Sequence, residues 1–183
     1  MIRRINLYGG PGVGKTTMAS SLFAALRAAN VNCELVPEYV KDWTFDGRRP
    51  LSFDQVLLFG RQMYLEDTRL RCGTDLVVCE SPVLLAAFYA FRMFCPAWDH
   101  LSHIERVFGD RYPSLDLLLT RSSDEEYRST GRFHDVEEAA GIDGALSEFL
   151  TEHGVKPIKV APLDHEQLRD IVLKHVGTEY HPK

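Results

Sequence analysis

The chain has 183 residues, of which 45% are hydrophobic and 26% are charged, and its formal net charge is −5. This length and composition predict one globular domain with a full core and leave too few residues for two domains of ordinary size. No apolar run reaches the roughly 18 residues that a membrane-spanning helix needs, and without a run of lysines we expect no broad duplex-binding face.

The cysteines and the N-terminus bear on the cellular compartment. Cys33, Cys72, Cys79 and Cys95 form no CxxC pair and have no metal-type spacing, which predicts reduced, structural thiols. The first residues, Met-Ile-Arg-Arg, lead directly into the first predicted strand, so we expect no signal peptide. Both features favour a cytoplasmic location.

A glycine-rich segment connects the first predicted strand, residues 4–8, to a helix predicted to begin at about Lys15. The segment fits G-x-x-x-x-G-K-[ST], in which glycines let several backbone N–H groups point at phosphate oxygens. In this motif the lysine reaches the β- and γ-phosphates, the threonine hydroxyl can ligate Mg²⁺, and the helix presents its positive end to the same anion. The motif therefore predicts a nucleoside triphosphate site formed by Gly9, Gly10, Pro11, Gly12, Val13, Gly14, Lys15, Thr16 and Thr17.

Residues 32–36 form the second predicted strand, and Glu38 follows at its carboxyl end. Because ligands of open α/β sheets bind outside the carboxyl ends of the strands, we expect Glu38 to face the site. The alternative is a solvated loop carboxylate. Residues 41–50 then form a predicted polar loop, in which Trp43 and Phe45 either stack on a bound acceptor or pin the loop to the core.

The next helix is predicted to run from Ser52, as the N-cap, to about Arg71. Arg61, Gln62 and Tyr64 are its candidates for contacting an acceptor. Spacings of three and four predict that one face of this helix carries Phe53, Val56, Leu57, Gly60, Met63, Tyr64 and Asp67.

The third predicted strand, residues 74–79, is a continuous apolar run that ends in Glu80. An acidic residue at this place beside a phosphate-binding loop is the Walker-B arrangement, which holds Mg²⁺ directly or through water. The sequence therefore predicts a metal-binding or catalytic role for Glu80. The alternative is a carboxylate that caps the following helix, since Pro82 suits a first helical turn.

An apolar helix predicted over residues 83–94 contains four candidates for lining an acceptor pocket: Phe88, Tyr89, Phe91 and Arg92. Core packing is the alternative that its apolar character favours. After the fourth predicted strand, residues 114–120, a polar segment of about 121–135 contains Arg121, Arg128 and Arg132. These arginines suit a phosphate lid that stabilises developing charge and excludes water, and a solvated helical face is the alternative.

The remaining chain predicts a helix over residues 136–153, a fifth strand over 156–160 and a closing helix over 163–176. Strands that alternate with helices predict an α/β fold, namely a five-stranded parallel sheet with helices on both faces. Together with the glycine-rich loop, this pattern predicts a single P-loop NTPase domain over residues 1–183.

The order of these features resembles the nucleoside- and nucleotide-kinase group of P-loop proteins. In deoxynucleoside kinases a Glu after the second strand acts as base toward the acceptor hydroxyl, and Glu38 matches it. Glu80 and Ser81 match part of the Glu-Arg-Ser that ends the third strand in that family, and the arginine between them is missing here. The helix that contains Gln62 is similar to the one whose glutamine reads the base.

A closer likeness covers most of the chain. The glycine-rich loop, Pro-Glu-Tyr-Val-Lys-Asp-Trp at residues 37–43 and Tyr-x-x-x-Gly-Arg-x-His at residues 127–134 resemble small phage-type P-loop kinases. These are grouped with ribosylnicotinamide-kinase-like ATPases, and the group includes kinases that phosphorylate 5-hydroxymethyluracil within phage DNA. The resemblance implies an ATP-dependent phosphotransferase that uses Mg²⁺ and takes a nucleoside-, nucleotide- or DNA-base-type acceptor, in the host cytoplasm if the protein is phage-encoded.

Two other functions stay open at this point. A nucleoside monophosphate kinase would need cationic clamps for an acceptor phosphate, and Arg48, Arg49, Arg61 and Arg92 could supply them. A non-kinase ATPase or GTPase switch would transfer phosphate only to water. The sequence contains no guanine-reading Asn/Thr-Lys-x-Asp motif, which disfavours a GTPase.

Overall fold

Parallel strands dominate the centre of the computed structural model, which describes residues 1–121, 136–161 and 164–177. Within these residues the strands form a five-stranded sheet in the order β2-β3-β1-β4-β5. The strands are β1 (Arg4–Tyr8), β2 (Cys33–Val36), β3 (Leu76–Cys79), β4 (Ser114–Leu119) and β5 (Ile158–Val160). The α/β fold with a five-stranded parallel sheet, predicted from the alternating pattern, is confirmed.

Helices cover both faces of this sheet. They are α1 (Lys15–Ala28), α2 (Lys41–Phe45), α3 (Asp54–Arg71), α4 (Val83–Arg92), α5 (Trp98–Arg111), α6 (Val136–Glu152) and α7 (His165–Gly177). Among the described residues, no helix is both long enough and apolar enough to cross a membrane.

Two hydrophobic cores lie on opposite faces because strand side chains alternate in direction. Leu76 and Val78 of β3 pack with α1 and α7, while Val77 and Cys79 pack with α3, α4, α5 and α6. All four residues of β3 are buried, which explains why this strand is a continuous apolar run rather than an alternating one.

The strand order determines which loops meet at the carboxyl edge of the sheet. β1 lies between β3 and β4, with Arg4 in register with both Val77 and Ser114. β3 lies between β1 and β2. The loops that follow β1, β2 and β3 are therefore neighbours, and these loops contain the glycine-rich segment, Glu38 and Glu80.

The buried face of α3 is not the face that the three-and-four spacing indicated. Phe53, Val56, Leu57 and Tyr64 are exposed, whereas the buried residues are Gln55, Leu58, Phe59, Gln62, Glu66 and Leu70. The apolar pattern misled because three polar side chains lie on the buried face, where other parts of the chain provide their hydrogen-bond partners.

The start of α3 also differs from the prediction. The helix begins at Asp54 and has no side-chain cap, so Ser52 is not its N-cap. Instead, the Asp54 carboxylate accepts a hydrogen bond from the backbone N–H of Leu51 at 2.9 Å. The preceding residues, predicted as a loop, contain the short helix α2.

Candidate active site

The glycine-rich segment after β1 forms a loop whose backbone only glycine adopts easily at three points. Gly9, Gly12 and Gly14 have φ values of 148°, 85° and 88°, in the left-handed region that side chains with a Cβ disfavour. Gly14 is the N-cap of α1, so the positive end of this 14-residue helix meets the loop. This geometry creates an anion-binding site.

Lys15 is the buried cation of this loop. Its ammonium group donates hydrogen bonds to the carbonyl oxygens of Gly9 at 2.8 Å and Gly10 at 2.9 Å. The side chain therefore lies folded along the loop, in reach of any phosphate that the loop binds. This position of Lys15 is consistent with the phosphate binding that the motif predicts.

Thr16, the second residue of α1, lies beside Glu80, which directly follows β3. The Thr16 hydroxyl donates a hydrogen bond to Oε1 of Glu80, and the Glu80 side chain is almost completely buried. A hydroxyl and a carboxylate are the hard oxygen ligands that Mg²⁺ prefers, with its other positions filled by water and phosphate. The residues present therefore fit a magnesium ion bound with a nucleotide.

A third group, which the sequence did not indicate, completes this cluster. The Lys41 ammonium group donates a hydrogen bond to the Thr16 hydroxyl at 3.0 Å and lies 3.8 Å from Oε1 of Glu80. Lys41 is the first residue of α2, three positions after Glu38. In the sequence, the only signal for a role of Lys41 in the site was its place within the segment 37–43 that resembles the phage-type kinases.

Arg121, predicted to contact the nucleotide, binds the loop at Pro11 and does not line the cleft. Its Nε donates to Oδ2 of Asp143 at 2.8 Å, and its Nη2 donates to the carbonyl oxygen of Pro11 at 2.7 Å. Arg128 and Arg132, the other predicted lid arginines, lie outside the described residues. Asp143 on α6 was not singled out from the sequence, because nothing in a helical segment marks a carboxylate that will meet a loop more than a hundred residues away.

A cleft of about 570 Å³ extends from the glycine-rich loop between the β2–α2 segment, α3 and α4. It brings together many residues predicted for the site: Pro11, Gly12, Gly14, Lys15, Thr16, Thr17, Glu38, Gln62, Glu80 and Arg92. Tyr89, also a candidate from the sequence, lines the cleft as well. Further lining residues that were not predicted for the site include Tyr39, Lys41, Gln55, Leu58 and Met93. Donor-side and acceptor-side candidates therefore face one continuous space.

Gln62 connects the wall of this cleft to the segment that carries Glu38. Its Oε1 accepts a hydrogen bond from the backbone N–H of Tyr39 at 3.2 Å, and its Nε2 donates to the carbonyl oxygen of Pro37 at 3.4 Å. The carbonyl and amide on either side of Glu38 are thus held by one buried side chain.

Five residues predicted to contact the acceptor do not line the cleft: Trp43, Arg61, Tyr64, Phe88 and Phe91. Tyr64 and Phe91 are exposed. Trp43 is buried under the guanidinium of Arg48, 3.5 Å from the ring centre, which favours its alternative role of pinning the segment to the core. Arg61 is exposed on α3. Phe88 is fully buried and packs edge-on against Phe149 at 5.3 Å, so the structure assigns it to the core.

Behind the cleft, a buried charged cluster links α3 to the sheet. Arg4 on β1 lies 3.3 Å from a Glu66 carboxylate oxygen and 3.7 Å from Glu105. Glu66 also accepts a hydrogen bond from the backbone N–H of Val83, the first residue of α4, at 3.1 Å. Burial raises the pKa of Glu66 to about 7, although Arg4 acts in the opposite direction.

Solved structures share this fold over nearly the whole chain. A structure of the NadR protein in complex with NR matches with a TM-score of 0.73 and 16% identity, over 99% of this chain and 53% of that one. A structure of APE1195 matches with a TM-score of 0.54 and 17% identity, over 98% of this chain and 97% of that one. At such identities the likeness establishes the fold alone, and this chain spans about half the length of the NadR chain.

Sequence comparison identifies the family more directly. No curated protein matches the chain. The family described as AAA domain, however, matches residues 4–167, which include the glycine-rich loop, Glu38 and Glu80. The chain therefore belongs to the AAA domain family of P-loop proteins.

Proposed function

We propose that the protein is an ATP-dependent kinase that transfers the γ-phosphate to a hydroxyl group of a nucleoside-type acceptor. The observation that carries this proposal is the single cleft that joins the phosphate-binding loop to Glu38, Gln62 and Glu80. Direct phosphoryl transfer needs both substrates in one space, aligned and shielded from water. The resemblance to kinases of the ribosylnicotinamide-kinase-like group and the structural likeness to NadR in complex with NR support it.

On the donor side, the glycine-rich loop and Lys15 hold the phosphates of ATP. Thr16 and Glu80 hold Mg²⁺, which when bound neutralises charge on the phosphate oxygens. Arg128 and Arg132, outside the described residues, are proposed to add positive charge from the lid. Arg121 supports the loop through Pro11 and Asp143.

On the acceptor side, Glu38 is the proposed general base. The acceptor O–H bond breaks, the proton passes to the Glu38 carboxylate, and the hydroxyl oxygen bonds to the γ-phosphorus. The bond between the γ-phosphorus and the bridging oxygen breaks, and ADP leaves. Gln62 positions Glu38 through the flanking backbone of Pro37 and Tyr39.

The far end of the cleft is suited to a flat ring with polar edges. Leu58 and Tyr89 provide apolar walls, and Gln55, whose amide nitrogen lies 2.8 Å from the Met93 sulfur, provides a polar group. A nucleoside fits this chemistry. The 5-hydroxymethyl group of a pyrimidine in phage DNA is the more specific acceptor that we propose, and it would require an extruded nucleotide.

A nucleoside monophosphate kinase is the second candidate, because Arg49 and Arg92 both line the cleft. Their guanidinium groups could bind an acceptor phosphate in bidentate fashion. Such an acceptor is already an anion, so it would depend on these arginines more than on Glu38.

A panel of acceptors tests the proposal directly. Radiolabelled ATP and Mg²⁺ are incubated with nucleosides (ribosylnicotinamide among them), nucleoside monophosphates, DNA that contains 5-hydroxymethyluracil, or no acceptor. We expect labelled product from an acceptor with a free hydroxyl, and none from the Lys15→Ala variant. Labelling of monophosphates alone would favour the second candidate, and phosphate release at the same rate without any acceptor would contradict both.

A further inference from the structure

Lys41 lies where a bound magnesium ion would have to be coordinated. Its ammonium group is 3.0 Å from the Thr16 hydroxyl and 3.8 Å from Oε1 of Glu80, the two oxygens that fit the metal. A metal ion bound to the same oxygens would lie within a few ångströms of this ammonium, and two like charges that close repel strongly. The two cations cannot share the position.

The charge balance of the cluster explains why a cation is needed there. The Glu80 side chain is only 5% exposed, whereas that of Lys41 is 38% exposed. A buried carboxylate without a counter-charge is costly. Lys41 is placed to neutralise Glu80.

The position of Lys41 allows the ammonium group to leave. It is the first residue of the short helix α2, at the rim of the cleft. Its four-carbon stem is flexible, so the charged group can move while the helix stays in place. Trp43, buried two residues further on, holds that helix to the core.

We propose that Lys41 is a built-in counter-ion that occupies the magnesium position between Thr16 and Glu80 until a metal ion displaces it. This inference rests on the proposed function to the extent that Thr16 and Glu80 are the metal ligands. In this role, Lys41 weakens the binding of metal ions to the protein without nucleotide. Metal arriving with ATP, whose phosphates add ligands and negative charge, overcomes this competition.

Binding of Mn²⁺ to the nucleotide-free protein tests the inference without any acceptor or turnover. Free Mn²⁺ is measured from its electron paramagnetic resonance signal during titration of wild type, Lys41→Met and Lys41→Arg. We expect Lys41→Met to bind Mn²⁺ about fivefold more tightly than wild type, which corresponds to one partly exposed charge pair. Lys41→Arg keeps the charge, so its affinity is expected to stay within about twofold of wild type.

Two further variants provide the controls. Lys156→Met removes an exposed lysine far along the chain and is expected to bind Mn²⁺ as wild type does. Adding Glu80→Gln to Lys41→Met is expected to abolish the gain. Equal or weaker Mn²⁺ binding by Lys41→Met, or tighter binding that survives Glu80→Gln, would overturn the inference.

The outcome is separate from that of the acceptor panel. If Lys41→Met binds Mn²⁺ more tightly but no acceptor is phosphorylated, the counter-ion role stands and the kinase proposal fails. If an acceptor is phosphorylated but Mn²⁺ binding does not respond to Lys41, the kinase proposal stands and the counter-ion role fails. Thermal unfolding of each variant shows whether it is folded.

Discussion

The carboxylate of Asp143 accepts a hydrogen bond from the backbone N–H of Gly10 at 2.9 Å, which attaches α6 to the phosphate-binding loop. The other oxygen of the same carboxylate binds Arg121, which in turn donates to the carbonyl oxygen of Pro11. The loop is therefore held by a carboxylate and a guanidinium that do not line the cleft, while the loop itself faces the cleft. Gly10 therefore connects the loop to α6, a role that is separate from the backbone flexibility of glycine.

Replacing Gly10 with alanine is expected to separate α6 from the loop. A Cβ at this position would lie 2.2 Å from Oδ1 of Asp143 and 3.2 Å from the carbonyl oxygen of Ala139, so both must move. We expect Gly10→Ala to lose about 1–3 kcal/mol of unfolding free energy and to bind ATP more weakly. Urea unfolding and calorimetric titration with ATP measure the two effects.

Gly144 provides the matched control for this substitution. It lies on the same helix, is exposed, and a Cβ there would meet nothing within 4 Å. Gly144→Ala is therefore expected to stabilise the protein by roughly 0.5–1 kcal/mol through helix propensity. If Gly10→Ala is as stable as Gly144→Ala, the contact between Asp143 and the loop does not constrain this position.

Glu38→Gln is expected to reduce turnover without reducing ATP binding. The amide keeps the size of the side chain but cannot accept the acceptor proton, so kcat should fall about 10²–10⁴-fold while the KM for ATP stays constant. Glu34→Gln, on the exposed side of β2, is the control and should retain wild-type turnover. Full activity of Glu38→Gln would exclude the base role.

The arrangement of the phosphate-binding loop, Glu38 and Glu80 could be predicted because it depends on local chemistry and on one rule of topology. The glycine spacing determines the loop, and parallel strands bring their carboxyl ends to one edge, so Glu38 and Glu80 could be assigned to the same edge without coordinates. Lys15 and Thr16 follow from the motif alone. None of these assignments needed the packing of distant helices.

The proposed acceptor side of the cleft could not be predicted because its side chains are selected by tertiary packing. On α3 the apolar positions Val56 and Leu57 point outward, and Gln55 and Gln62 are buried, which reverses what periodicity indicates. Buried glutamines are tolerated only where distant groups, such as the backbone of Tyr39, provide partners. Phe88 is the opposite case: it was a candidate for contacting the acceptor, but it is buried in the core.

Gln62→Leu is expected to release the segment that carries Glu38. The Tyr39 N–H and the Pro37 carbonyl oxygen would lose their partner, which costs roughly 1–3 kcal/mol of stability where no water replaces it. Turnover should fall with it, because Glu38 is no longer held. Thermal unfolding and kcat are measured on the same samples.

Two variants show whether this effect arises from the hydrogen bonds. Gln62→Glu keeps an oxygen that can accept from Tyr39, so it should lose less turnover than Gln62→Leu. Arg61→Gln changes the adjacent exposed residue and should change neither quantity. Equal losses in Gln62→Leu and Gln62→Glu would mean that the amide nitrogen, rather than the oxygen, positions the segment.

The buried carboxyl group of Glu66 predicts that the protein loses stability as the pH rises from about 4.5 to about 7. Burial raises its pKa from 4.5 to about 7 in the folded state, against the opposing effect of the Arg4 charge. In that interval the folded state binds the proton more tightly than the unfolded state, so raising the pH favours unfolding, by up to about 3 kcal/mol.

Glu66→Gln mimics the protonated acid, so the stability difference between wild type and this variant should change over this interval and stay constant above it. The unfolding free energies of both proteins, measured from pH 5 to 8, give this difference, and the exposed Glu152→Gln is the control. If wild type instead gains stability relative to Glu66→Gln as the pH rises, the ion pair with Arg4 outweighs burial.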